Sequence, residues 1–458
     1  MSEVSEQSEI EVLRAALRGR VLIAGDDGYD AARQVWNCMI DRRPPLIVQA
    51  TGVADVVEAI NFARTQGLAI SVKGGGHSAA GTAVSNEALM IDLSRMDGVH
   101  VDAHAQTARV QGGATWGAFD RECQVFGLAS TGGVVSTTGV AGLTLGGGLG
   151  WLMGKHGLAI DNLLSAQVVT AGGQVLMASE SENPDLFWAI RGGSGNFGVV
   201  TSFEFRLHPV GPIVTGGLAA WPIDMAGDVL NFYKGFTDSA PDELTSFLVF
   251  TGAPDDSGAF ICALPAMYAG SLEEGEKAVQ AVKNFGPPMI DMLGPIPYTA
   301  HQSMLDAGFP AGEQVYWKST FLRPLSAESI AVLSEKALEL PNPASFIAIE
   351  HFHGAVNRVP PHATAFGERS AAFNVAIVAI WKDASDADRS IAWARGVFDA
   401  LQPFSTGAVY VNYLGVGDDP ARVQEAFGTN YERLAAVKQQ YDPTNLFRAN
   451  QNIKPRSS

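Results

Sequence analysis

Half of this chain's glycines fall in one stretch. Between Ser71 and Val200, 130 of the 458 residues hold 25 of the 50 glycines. They form three clusters, Gly74 to Gly76, Gly132 through Gly150, and Gly192 to Gly198. Glycine at that density lets backbone N–H groups turn inward and approach an anionic ligand with no Cβ in the way. Ordinary turns would account for one such cluster, less readily for three in one region. Average usage would give the whole chain roughly 32 glycines, so the surplus is real. With no Gly-X-Y period, 23 prolines and 47% hydrophobic residues, collagen and low-complexity disorder are excluded.

The clusters sit among strand and helix patterns. A helix carrying Ile10, Leu13 and Leu17 on one face is predicted to open the chain, with Ser8 and Glu11 at capping-box spacing. From Pro44 the pattern runs strand (LIVQA), helix (VADVVEAINFARTQG, stopped by Gly67), strand (AISV), then Lys73-Gly74-Gly75-Gly76-His77-Ser78. Strands follow at LMIDL, QTARVQ, SAQVVTA and VVTSFEFRL, with a helix near TWGAFDRECQVF. Between about residues 211 and 404 composition shifts to amphipathic helices and long strands, LTSFLVF, FIAIEHF and FNVAIVAIW, as in an α+β layer. The last segment reads as a strand around AVYVNY and a charged helix that stops near Pro443.

Two motif matches fail on context. Gly193-Ser194-Gly195-Asn196-Phe197-Gly198 fits G-x-G-x-x-G, but a helix-like DLFWAIR precedes it and the strand-like VVTSFEF follows, the reverse of a dinucleotide fingerprint. Gly76 to Gly81 is one residue too long for a nucleophile elbow, which argues against a serine hydrolase. His77, directly after three glycines, presents an imidazole to whatever the loop holds, as a ligand or an attachment point. Glu350-His351-Phe352-His353 could suggest a metal, but strand alternation puts His351 and His353 on one face and Glu350 on the other, so no metal site is expected.

Charge narrows the partners. Forty-eight acidic against 31 basic residues give a net charge of −17, which opposes nucleic-acid binding. Cys38, Cys123 and Cys262 lie far apart and read as core thiols, with neither a disulfide framework nor a thiolate metal site. No signal peptide or membrane span is visible, and the expectation is a soluble cytoplasmic protein with no membrane partner.

The ordered motifs KGGGHS, TGGVVSTTGVAGLTLGGGLGWLMGKHGLAIDNLLSA, RGGSGNFGVVTSFEFRL, and YVNY with YERLAAVKQQYDPTNLFRANQNI resemble one family. It is that of the flavoprotein oxidases of the vanillyl-alcohol-oxidase fold, in the branch of berberine bridge enzyme and bacterial hydroxynicotine oxidase. The resemblance is strong from about residue 41 to 210 and over the last fifty or so residues, and weak between. It implies a two-domain α+β, PCMH-type FAD-binding fold with an α+β substrate (lid) domain. The implied limits are 1–210 for the FAD domain, with its core from about 41, 211–404 for the lid, and 405–458 for a C-terminal segment returning to the first domain.

The resemblance also implies FAD bonded through the flavin 8α-methyl group to the histidine that maps onto His77. A second bond, common in the family, comes from a cysteine whose position here is Val135, so a single bond is expected. By motif position the other cofactor contacts are Lys73, Gly74, Gly75, Gly76, Ser78, Thr138, Gly139, Gly142, Gly146, Asp161, Asn162, Gly195, Val199, Asn412 and Asn450.

Oxidation on a flavin needs a substrate C–H over the ring and a base for the adjoining O–H or N–H. Family members carry such groups on strands like those holding Glu350 and His353, and Tyr410, Asn412 and Tyr413, which makes Glu350, His353, Tyr410 and Tyr413 the catalytic candidates. Alternation puts Glu350 and His353 on opposite faces, so only one should face the flavin. The lysine of hydroxynicotine oxidase on this strand is replaced by Phe346 or Ile347. The implied activity is oxidation of a C–OH or C–N bond of a small, aromatic or secondary-metabolite substrate, with O2 as acceptor giving H2O2. The alternatives are a flavin dehydrogenase with another acceptor, and a non-catalytic flavin or small-ligand binder.

Overall fold

The computed structural model describes residues 3–255, 257–417 and 420–456. The opening helix spans Glu3–Ala16, so it starts upstream of Ser8, which lies inside the helix and caps nothing. Leu13 is buried, with Ile10 and Leu17 packed beside it as their spacing predicts.

The helix Val53–Gln66 buries Val56, Ala59, Ile60 and Ala63. Gly67 ends it at φ 69°, its N–H donating to the carbonyls of Ala63 and Arg64. The apolar face packs on a four-stranded sheet ordered Arg20–Leu22, Leu46–Gln49, Ala88–Asp92, Ala69–Lys73, whose last three strands are parallel. His77 therefore stands in the loop leaving the carboxyl end of the last strand in that order. A second sheet is antiparallel, ordered Val99–Asp102, Thr107–Gln111, Val199–Arg206, Leu163–Val169, Val175–Ser179. The long glycine stretch runs between its strands and holds only short helices, Val140–Leu145 and Met153–His156.

An eight-stranded antiparallel sheet lies between Ile213 and Trp381, its central strands being Leu244–Gly252, Phe346–His351 and Phe373–Trp381. Alternation divides its faces. Ile347 and Ile349 join the core beneath four helices, Ala226–Asp238, Leu272–Asn284, Ala327–Ala337 and Ala387–Leu401, whereas Phe346 and Ala348 pack on the opposite side. That opposite side faces the glycine-rich loops.

The tail is fastened by a buried lysine. Lys438 Nζ donates to Asn196 O at 2.7 Å and Phe447 O at 2.9 Å, and pairs with Asp442 at 2.7 Å. The expected strand at AVYVNY is not formed: Val411–Tyr413 is a 3-10 turn. Aromatic and β-branched residues favour a strand locally, and the segment does start beside the edge strand Gln314–Leu322, Phe321 N donating to Ala408 O, but packing then turns it away. Two cysteines are buried as expected, while Cys38 is exposed. Among the described residues no helix is long and apolar enough to cross a membrane.

Candidate cofactor and active site

Where the first two glycine clusters meet, backbone lies on backbone. A Cβ on Gly75 would sit 2.4 Å from Gly139 N, and one on Gly139 would sit 2.4 Å from Gly75 N. Real side chains cannot occupy that gap, so both positions must be glycine for the loops to cross. The crossing forms one wall of a cavity that glycines from all three clusters line on one side and side chains of the large sheet on the other.

Of the residues expected at a cofactor, Gly74, Gly75, Gly76, His77, Ser78, Thr138, Gly139, Gly142, Gly195, Val199, Asn412 and Asn450 line this cavity. Four others do not. Lys73 points away and donates to Ala32 O at 2.7 Å and Gln34 O at 2.8 Å, tying the loop to the N-terminal segment. Gly146 makes room for a neighbour, since its Cβ would lie 2.0 Å from Asn412 Oδ1. Asp161 forms a buried two-pronged pair with Arg369 at 2.8 and 2.9 Å. Asn162 is used up by His156 O, Leu158 O and His208 Nε2.

No lysine or arginine lines the cavity among the described residues. A diphosphate there would be held by backbone N–H groups, which suits a chain of net charge −17. The residues therefore fit a dinucleotide such as FAD: an uncharged glycine cradle at one end and a titratable, aromatic wall at the other.

Beside the crossing, His77 is stacked on Trp36 with ring centres 4.7 Å apart and planes at 10°. Its Nε2 meets Thr137 Oγ1 at 3.2 Å. Burial pushes the imidazole down to about 4, so it is neutral at pH 7. Val135 also lines the cavity and offers no thiol.

Glu350 comes in from the large sheet. Its carboxylate takes a 2.6 Å hydrogen bond from Asn374 Nδ2, directly across the strand pair, and a 2.8 Å bond from Tyr413 Oη. Burial pushes it up to about 7 against the lowering effect of both donors. The 3-10 turn explains how Tyr413 reaches it. Residues three apart eclipse in that geometry, so Tyr410 and Tyr413 share the cavity with ring centres 4.8 Å apart, where a strand would have split them. Tyr410 Oη accepts from Gly148 N and Asn412 Nδ2, fixing the turn on the glycine stretch.

His353 is not at the cavity. It lies past the strand end, stacked on His351 at 4.3 Å, with Nε2 against Pro241 O at 3.3 Å. Among the described residues no His, Cys, Asp and Glu cluster could hold a metal. Of the two residues at the strand position where the resemblance expects lysine, Phe346 faces the cavity side and Ile347 the helices.

Sequence reasoning missed Trp36, Asn374 and the aromatic wall of Phe247, Phe309 and Trp317. Asn374 had a signal: it is the one amide within the apolar run FNVAIVAIW. Trp36 had none, because its partner lies in another cluster and no spacing rule links them.

This fold and site define an FAD-dependent oxidoreductase. The FAD binding domain family matches residues 44–179, and the berberine and berberine-like family matches 409–454. The (R)-6-hydroxynicotine oxidase of Paenarthrobacter nicotinovorans is 30% identical over 97% of this chain and 98% of its own. The xylooligosaccharide oxidase of Thermothelomyces thermophilus is 30% identical over 92% of this chain and 89% of its own. Among solved structures, 6-hydroxy-D-nicotine oxidase from Arthrobacter nicotinovorans superimposes with a TM-score of 0.87 at 29% identity, covering 96% of this chain and 98% of that one. A chitooligosaccharide oxidase gives 0.85 at 26% identity, covering 98% and 100%. The chain belongs to the berberine-bridge-like family of FAD-linked oxidoreductases.

Proposed function

We propose that this protein is an oxidase carrying FAD bonded to His77 alone, with Glu350 as the base that deprotonates a small hydroxyl- or amine-bearing substrate. The observation that carries the reading is Glu350, a buried carboxyl poised at about 7 on the cavity wall. A base working near its own pKa serves both protonation states needed per turnover. Bound FAD would supply a two-electron acceptor for the substrate C–H bond.

The chain's own groups do the rest. Glu350 takes the proton from the substrate O–H or N–H. Tyr413 Oη, already donating to Glu350, holds the carboxylate in one rotamer and turns its lone pairs to the substrate. Phe247, Phe309 and Trp317 line the same cavity and favour a flat, uncharged ring over an anion, which no cation there would balance. The implied acceptor is dioxygen, giving hydrogen peroxide, with Thr138 on the cavity wall. The implied location is the cytoplasm.

Val135 in place of the cysteine supports one bond to the cofactor, not two. Acid-precipitated protein is expected to stay yellow, and His77→Ala protein to release its flavin into the supernatant. A colourless wild-type pellet sinks the covalent claim. Anaerobic bleaching with a panel of aromatic alcohols, amines and sugars identifies the substrate, and admission of air tests the acceptor. No bleaching by any of them favours a non-catalytic binder.

A further inference from the structure

We propose that the turn Asp306 to Phe309 of the large-sheet domain positions His77 for its bond to the flavin, so that covalent attachment depends on how that domain docks. The proposal rests on the attachment reading above and adds the residues that make it possible.

Two groups hold the His77 ring. Trp36 stacks on its face, and Thr137 engages Nε2. Each holder is tied to the same turn. Trp36 Nε1 donates to Phe309 O at 3.0 Å. Ser136, next to Thr137, gives both its N–H, at 2.8 Å, and its hydroxyl to the Asp306 carboxylate. A third tie reinforces the first: Asn37 Nδ2 donates to Ala79 O at 2.8 Å and to Val315 O at 2.9 Å, bridging the His77 loop to the large sheet. The N–H of Trp36 also donates to Gly76 O at 3.0 Å, one residue from His77.

None of Trp36, Asn37, Asp306 or Phe309 lies in the matched stretches 44–179 and 409–454. These contacts make them positioning residues. The bond-forming step replaces one C–H bond of the flavin 8α-methyl group with a C–N bond from His77. Two protons leave, one from the carbon and one from the ring nitrogen. The electron pair goes to the oxidised isoalloxazine, which dioxygen then reoxidises. For this the imidazole must be neutral and held in one plane, which burial and the Trp36 stack provide.

The test uses full-length protein, purified early after induction and incubated aerobically with added FAD. Flavin in the acid pellet is followed with time, and total bound flavin is read by absorbance before precipitation. Thr137→Val and Asp306→Ala are expected to bind flavin yet attach it about 10- to 100-fold more slowly, the penalty of a misplaced reacting group. Thr137→Ser is expected to restore the wild-type rate. A wild-type rate in Asp306→Ala overturns the proposal whatever Thr137→Val does, because the coupling to the turn is then absent. If Asp306→Ala binds no flavin, Asp306→Asn serves instead: its single amide oxygen can accept only one of the two Ser136 bonds, so attachment should still slow, and an unslowed rate there overturns the proposal as well. Wild-type protein that leaves all its flavin in the acid supernatant defeats the attachment reading itself, and the coupling falls with it.

Discussion

Around Gly75 and Gly139 the cavity wall is main chain against main chain, with no charged side chain contributing. Around Glu350 the wall is all side chains, drawn from the strands Phe346–His351 and Phe373–Trp381 and the turn Val411–Tyr413. The first wall tolerates no added atom but asks little of sequence beyond glycine. The second tolerates exchange of atoms but depends on which residues the sheet register brings face to face. A cofactor common to a family suits the first kind of wall, and a substrate particular to each member suits the second.

The comparison breaks most visibly at the crossing. Gly75→Ala places a methyl group 2.4 Å from a backbone nitrogen that has nowhere to go. We expect a loss of about 3 kcal/mol, at the upper end for overpacking, and protein that no longer retains flavin. Thermal melting and flavin content per chain measure this. Retained flavin with an unchanged melting temperature would show that the loops slide past each other, and that the first wall is as adaptable as the second.

Glu350→Gln tests the other wall. Flavin content should hold, since none of the cradle moves, while kcat/KM falls about 10²- to 10⁴-fold, the usual contribution of a positioned base. Wild-type kcat/KM should rise with pH through about 7, as Glu350 loses its proton, and the variant should lack that limb. Stability runs the other way. A carboxyl whose folded pKa lies above its unfolded value is costly when ionised, so its contribution declines as pH rises from about 4.3 to about 7. Gln should therefore melt higher than wild type at pH 8 and gain less at pH 5. Loss of flavin from this variant would mean the two walls are one structure.

The same division explains what could be read from sequence. Glycine runs are local, so a backbone cradle for an anionic ligand around Gly74 to Gly76 and Gly139 is legible from adjacent letters, whereas FAD itself comes from the resemblance of the ordered motifs to one family. Lys73, Asp161 and Asn162 share those motifs, yet their side chains turn to partners the motif does not contain: Ala32 and Gln34 carbonyls, Arg369, and His208. Proximity in sequence does not by itself turn a side chain toward the cavity. On the other wall, the family resemblance nominates Glu350 and alternation adds only that His353 faces the other way, but the partner Asn374 lies across a strand pair whose register only the folded sheet defines. His353 was placed by extending alternation past His351, where the strand ends. Tyr410 and Tyr413 come together through a turn that β-propensity alone would have made a strand.

Asn374 offers the finest test of the second wall, because it should change chemistry without touching the cradle. Its Nδ2 donates to Glu350 at 2.6 Å and so favours the ionised carboxylate, while its own Oδ1 is buried without a partner. Asn374→Ala removes both groups. The carboxylate then loses one of its two donors, and its pKa rises further from about 7. The rising limb of kcat/KM should move to higher pH by up to about one unit, equivalent to about 1.4 kcal/mol. At pH well above the limb, the rate should approach wild type, because Tyr413 still holds the carboxylate. A limb that stays put while the plateau falls would assign Asn374 to shaping the cavity, with Tyr413 alone setting the proton affinity of Glu350.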